Sequence, residues 1–143
     1  MRILGIDLGE KRVGLAVSDP LGYTAQGLET LHLKSKKDLL KGLEEVCRRY
    51  EVQEIVIGLP VNMNGTHGPK AKEVAELVPE LEKQLKVPVR TWDERLSSRE
   101  AGRLMISEGL SRSKQRMNSD RLAATLILQG YLETKRITER GIK

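Results

Sequence analysis

An α/β fold, with a mixed five-stranded sheet and helices on both faces, is what this sequence predicts, and three observations carry the prediction. Two runs rich in Ile, Leu and Val, RILGIDL and RVGLAVSD, follow each other across only a few polar residues. Two later apolar runs, EIVIGLP and VPVRTWD, alternate with segments whose apolar residues recur at helical spacing. The 143 residues, 38% hydrophobic and 31% charged, form a globular balance large enough for one core. Residues 1–143 are therefore read as one domain.

The first two runs predict a hairpin, and a third strand is expected within YTAQGLETLHL despite Gly27 and its mixed polarity. Leu39, Leu40, Leu43, Val46, Cys47 and Tyr50 then mark a helix. EIVIGLP follows as a buried strand stopped by Gly and Pro. VNMNGTHGPK reads as a loop, and the segment Asn62 to Gly68 is equally compatible with a mobile flap and a plain surface loop. Ala71, Val74, Leu77, Val78, Leu81 and Leu85 form a second amphipathic helix, with Pro79 expected to bend it. VPVRTWD is the fifth strand. SSREAGRLMISEGL predicts a helix, with Ser97 and Glu100 spaced for a capping box and Gly109 near its end. A last helix runs from about Asn118 to Lys135. The crossover helices place covering layers on both sides of the sheet, and sites in such sheets gather at the carboxyl ends of the strands.

Composition narrows the function classes. The apolar runs are too short to span a membrane, and the N-terminus enters strand-like sequence without a signal-peptide pattern, so a soluble cytoplasmic protein is expected. Cys47 has no cysteine to pair with and lies on a helix's apolar face, where it reads as a buried spacer. Net charge is +5 and unevenly spread. From Arg95 to Arg121, seven basic residues (Arg95, Arg99, Arg103, Arg112, Lys114, Arg116 and Arg121) face three acids, Glu100, Glu108 and Asp120. Such a segment suits phosphate contacts, and equally a solvated, salt-bridged surface. Aromatic residues make up only 3%, so a stacking platform for single strands is poorly supported and shape recognition of duplex or branched nucleic acid is favoured.

Against this background Asp7 stands out, an acid near the carboxyl end of a strand that should be central. It shares a strand face with Ile3 and Gly5. Asp93 and Glu94 close the fifth strand at the same edge, and alternation lets only one of them look into a shared site. Asp120 shares a helix face with Ala123, Ala124, Ile127 and Tyr131, and two alanines permit close approach to the sheet. Asp19, also near a strand end, is a weaker fourth candidate. Each acid alone has a structural reading: turn amides for Asp7, a helix cap for Asp93 or Glu94, the helix dipole for Asp120. Clustered, they would repel unless a cation neutralised them. Hard oxygen ligands suit Mg²⁺ or Mn²⁺, while His32, His67 and Cys47 lack the spacing of a zinc site. Such a centre serves in-line displacement at phosphorus.

The segments GIDLGEKRVGLAVSD, VIGLPVNMNGTHGP, WDERLSS and SDRLAATLILQGYLE, in this order and over nearly the whole chain, resemble the YqgF or RuvX family of Holliday-junction resolvases and pre-16S rRNA nucleases. Glu10 stands where relatives often carry Thr or Ser, and Asn64 where Asp is frequent; neither change touches the acids. The resemblance implies an RNase H-like fold, Asp7, Glu94 and Asp120 as catalytic and metal-binding residues, and a divalent metal. It thereby selects Glu94 over Asp93. It also implies a structured nucleic-acid substrate, bound by Arg95, Arg99, Arg112, Lys114, Arg116 and Arg121. The resulting expectation is a metal-dependent endonuclease that matures the 5′ end of pre-16S rRNA, with a ribosomal particle as a further partner. A junction resolvase, which needs two active sites on one junction and hence a symmetric dimer, is the alternative, and the sequence is compatible with a monomer or a homodimer. Two rivals belong to other classes. A non-catalytic ribosome-assembly module would use the acids structurally. An actin-like or sugar-kinase ATPase shares the IDLG segment, but builds its cleft from two such domains.

Overall fold

The computed structural model describes residues 1–94 and 112–139, with side chains described for 1–94 and 121–135. β1 (Arg2–Leu8) and β2 (Arg12–Ser18) form the expected hairpin, in register from Leu4 opposite Val17 to Leu8 opposite Val13. The turn is closed by Gly9 N donating to Arg12 O at 2.9 Å. The expected third strand is broken into β3 (Ala25–Gly27) and β4 (Leu31–His32), which pair with opposite ends of β2. The break has a simple cause. Gly27 faces Ala16 and Leu31 faces Val13, so residues 28–30 lie against only two residues of β2, and the surplus residue cannot stay in the ladder. The sheet thus has six strands among the described residues, in the order β3-β2-β1-β5-β6 with β4 also on β2, rather than five.

α1 (Lys36–Tyr50) begins at Ser35, whose Oγ accepts from Asp38 N at 3.2 Å, and ends at left-handed Glu51. β5 (Val52–Leu59) pairs parallel to β1. α2 (Pro69–Leu85) starts with Pro at its first position and continues as one helix through Pro79. β6 (Val89–Asp93) lies parallel to β5. α3 (Arg112–Glu139) is longer than the span expected from Asn118 to Lys135. The helix predicted over SSREAGRLMISEGL falls outside the described residues. No helix among the described residues is long and apolar enough to cross a membrane.

Strand alternation sorts side chains into two apolar layers. Leu4, Ile6, Val13, Leu15, Val17, Ile55, Ile57 and Val89 pack beneath Leu39 and Leu43 of α1 and Val74, Leu77 and Leu81 of α2. On the other face Ile3, Ala16 and Val56 meet Ala124, Ile127, Leu128 and Leu132 of α3. Gly5 brings this helix close: a Cβ there would stand 2.8 Å from Leu128 Cβ and 3.1 Å from Ala124 O.

The direction of α3 follows from its partners. Ile127 lies over Gly58 near the end of β5, whereas Tyr131 and Lys135 reach Glu54 near its start. Further towards its N-terminus Ala124 lies over Gly5 and Arg121 over Gly27, which is level with Gly5 through Ala16, so the helix crosses the sheet from β5 over β1 to β3. Glu54, only 7% exposed, accepts from the Tyr131 hydroxyl and from Lys135 Nζ at 2.9 Å. Burial, then the hydrogen bond and charge of Glu54, push the Tyr131 phenol up to about 12.

Candidate active site at the carboxyl edge of the sheet

β1, β5 and β6 are parallel neighbours, so their carboxyl ends share one edge. β1 is interior, as expected for the strand carrying Asp7. Ile3 and Gly5 face α3, and alternation puts Asp7 on that face as well. Glu94 follows β6 directly, and its side chain lies over Gly58. The register Gly58–Trp92 and Leu59–Asp93 leaves Glu94 on the α3 side, while Asp93 shares the alternate side with Val89.

The Asp7 and Glu94 carboxyl groups are hydrogen-bonded to each other. Two carboxylates make that bond only when one carries a proton. Burial first, then the Asp7 hydrogen bond, the Asp7 charge and the Asp93 charge push Glu94 from 4.5 up to about 8. The ammonium of Lys70 pulls the other way. Lys70 belongs to the first turn of α2, where its Nζ donates to Gly9 O at 3.3 Å and lies 3.6 Å from Glu73. A proton shared between two half-buried oxygens is the signature of a site that a cation can occupy instead. The oxygen-only donor set fits Mg²⁺ or Mn²⁺ better than zinc.

Asp120 belongs to α3, one turn before Ala124, which lies over Gly5, but its side chain is outside the description. Among the described residues no group of three or more His, Cys, Asp or Glu has the geometry of a metal centre, so two of the three expected acids are seen together. Asp19 lies elsewhere. β2 runs against β1, so Asp19 sits at the opposite edge, where Thr24, Tyr23 and Leu21 amides bind its carboxylate and hold it below the usual range. It is a turn-capping acid rather than a member of the cluster.

Of the expected phosphate contacts, Arg95 and Arg99 fall outside the described residues, and Arg112, Lys114 and Arg116 are described only as backbone of α3. Arg121 is exposed; its stem covers Gly27 and its Nε donates to Leu28 O at 3.1 Å. The segment Asn62 to Gly68 is a small ordered hairpin. Val61 bridges His67, Asn62 N donates to Thr66 O at 2.9 Å, and Gly65 takes φ +87°. Asn64 Oδ1 accepts from Thr66 N at 3.0 Å and from its hydroxyl at 2.6 Å, a role that an Asp would fill equally well.

Two residues of the site escape a reading of the sequence. Gly58 looked like a strand terminator, yet β5 continues through it to Leu59. A Cβ there would stand 2.7 Å from Glu94 Oε1 and 2.5 Å from Ile127 Cδ1, so glycine makes the room in which Glu94 lies. A glycine inside a β-branched run was the available signal. Lys70 gave none, because nothing in GPK connects it to the β1–β2 turn.

The family described as "RuvX: Holliday junction resolvase" matches residues 1–134. A protein of Syntrophomonas wolfei named "Putative pre-16S rRNA nuclease" is 52% identical over 133 residues, covering 93% of this chain and 94% of its own. A Clostridium novyi protein of the same name is 48% identical over 134 residues, covering 94% and 99%. Among solved structures, Thermus thermophilus RuvC in complex with Holliday junction substrate superposes with TM-score 0.57 at 20% identity, over 99% of this chain and 97% of that one. The fowlpox virus Holliday junction resolvase gives TM-score 0.55 at 14% identity, over 94% and 99%. The architecture is therefore the RNase H-like fold of the RuvC-type resolvases.

Proposed function

Since the chain belongs to the RuvX family, we propose that it is a metal-dependent endonuclease which hydrolyses phosphodiester bonds in precursor 16S ribosomal RNA. The observation that carries the chemistry is the hydrogen-bonded pair of Asp7 and Glu94 at the carboxyl edge. The relatives at 52% and 48% identity, both named for pre-16S rRNA, favour the substrate.

In this reading Asp7 and Glu94 would hold the metal, with Asp120 of α3 as third carboxylate. A divalent ion bound there supplies Lewis acidity and lowers the pKa of water. The residues do the rest. Glu94 must first release the proton it shares with Asp7, which Lys70 assists by favouring the ionised form. Gly58 keeps the Glu94 carboxylate in place by presenting no side chain. Asp93, on the other side of the strand, repels a second negative charge on Glu94 without entering the site. Arg121, with Arg95, Arg99, Arg112, Lys114 and Arg116, neutralises substrate phosphates and positions the backbone without reading bases.

The family's description favours a second reading, resolution of four-way DNA junctions. One experiment separates them. Purified protein and Asp7→Asn are incubated with precursor 16S rRNA, duplex DNA and a four-way DNA junction in Mg²⁺, Mn²⁺ or EDTA. Cleavage of RNA that requires metal and disappears in Asp7→Asn is expected. Preferred cutting of the junction would select the resolvase, and equal behaviour of Asp7→Asn would leave a nucleic-acid-binding module without a catalytic centre.

A further inference from the structure

We infer that the sugar–phosphate backbone of the RNA substrate leaves the carboxylate pair across the β2–β4 corner, held by Lys11, Arg12 and His32, a contact surface separate from the basic segment before Arg121. This rests on the nuclease reading above and adds a path for the substrate.

Strand pairing sets the direction. Val13 and Leu31 are paired and both join the layer beneath α1 and α2. Their neighbours Arg12 and His32, also paired, therefore point to the opposite face, the one carrying Asp7 and Glu94. The distance is short. Asp7 pairs with Gly14, two residues from Arg12, which places the Arg12 backbone about 8 Å from that of Asp7 from ordinary strand spacings. Lys11, Arg12 and His32 are all exposed, and with Gly9 and Glu10 they surround one open hollow at the turn.

The borders of the site are unequal. Towards α2, Glu10, Glu73, Glu76 and Glu80 line a cavity of about 330 Å³, with Lys34 and Lys36 the basic residues on its wall. Glu80 and Glu73 are in part neutralised by Lys36 at 2.6 Å and Lys70 at 3.6 Å, which leaves an acidic balance. A polyanion is repelled there. On the β2 side the hollow is lined by Glu10 together with Lys11, Arg12 and His32. On the same face Arg121 lies over Gly27 of β3, opposite Ala16 and four residues along β2 from Arg12, a further cation on the β3 side of this face.

The test is binding of full-length protein to a precursor 16S rRNA fragment in EDTA, where no metal-dependent cleavage can occur, measured across a salt series. Lys11→Gln/Arg12→Gln is compared with wild type and with Arg49→Gln, an exposed arginine of α1 paired to Glu45. Each lost phosphate contact removes ~0.7–0.9 from the slope of log K against log salt. The double variant is expected to bind at least tenfold more weakly in low salt with a slope shallower by about 1.5, and Arg49→Gln to match wild type. Thermal melts check folding, and if the double variant does not fold, Lys11→Gln alone is read against a slope change of ~0.8. Unchanged slope and affinity overturn the path while leaving the nuclease intact if wild type cuts in Mg²⁺. Absence of wild-type binding overturns both. A loss seen on a four-way DNA junction but not on RNA overturns the RNA assignment of this surface.

Discussion

Replacing Gly58 by alanine tests whether the room beneath Glu94 is functional. The added Cβ would stand 2.7 Å from Glu94 Oε1, 2.9 Å from its Cγ and 2.5 Å from Ile127 Cδ1. An ordinary contact begins near 3.4 Å, so the carboxylate must retreat by about 0.7 Å and the isoleucine tip by about 0.9 Å. Both obstacles are ends of side chains, so the strand itself has no reason to move. Overpacking of this kind costs about 1–3 kcal/mol, a fall in Tm of roughly 3–10 °C for a chain of this size. Displacing a catalytic group by nearly 1 Å costs ~10²-fold in rate. Gly58→Ala is therefore expected to remain folded, bind Mn²⁺ more weakly, and cleave about a hundredfold more slowly. Gly5→Ala is the contrast: its Cβ meets Leu128 Cβ at 2.8 Å and the Ala124 carbonyl at 3.1 Å, where little can yield. It should lose more stability than Gly58→Ala. The assays are thermal melts, Mn²⁺ titration by electron paramagnetic resonance, and single-turnover cleavage. Wild-type Mn²⁺ affinity and rate in Gly58→Ala would refute the argument that Glu94 works from its place over this glycine.

Asp7→Asn removes a carboxylate proposed to hold the metal, so cleavage should fall at least about 10³-fold, and it removes a charge that repels ionised Glu94, so the metal-free Tm should be equal or higher, as read by calorimetry; a large fall in Tm would mean that the acid is structural. Glu94, raised from 4.5 to about 8, binds its proton more tightly folded than unfolded. Its contribution to stability is complete below about pH 4.5 and lost as pH rises through about 8. Urea denaturation without metal should therefore show wild type losing stability relative to Glu94→Gln between about pH 5 and 8, and Mn²⁺ affinity rising over the same window. Lys70→Met removes a charge that favours ionised Glu94, so the pH midpoint of Mn²⁺ binding should move upward; an unchanged midpoint would detach Lys70 from the site. Glu54→Ala strands Lys135 and the Tyr131 hydroxyl in a half-buried setting, at about 2–4 kcal/mol, and calorimetry should record a Tm lower by several degrees.

Much of this arrangement was legible in the residues because it depends on period. Alternation along RILGIDL placed Asp7 on the face opposite Leu4 and Ile6, and the same rule allowed only one of Asp93 and Glu94 into the site. What pattern cannot encode is distance between segments far apart in the chain. The room above Gly58 is visible only once β6 lies beside β5, and the reach of Lys70 to Gly9 spans the whole of α1 and β5. The divided third strand depended on counting residues against a partner whose register was unknown. Asp19 misled for a related reason. Being near a strand end does not say which end of the sheet, and an antiparallel partner reverses the answer.

The sheet separates two apolar layers of unequal support. One is shared by two helices, whereas among the described residues the other is covered by α3 alone, fastened near the start of β5 through Glu54. That single cover also contains Asp120 and Arg121 in its chain. Any opening that lifts Ala124, Ile127 and Leu128 from Gly5 and Gly58 exposes apolar surface and at the same time removes the Ile127 wall of the room in which Glu94 lies. A protein built this way has no loosened state in which this face of the sheet is bare and Glu94 still keeps its place beside Ile127, so under the proposed reading hydrolysis would be confined to molecules that have finished folding.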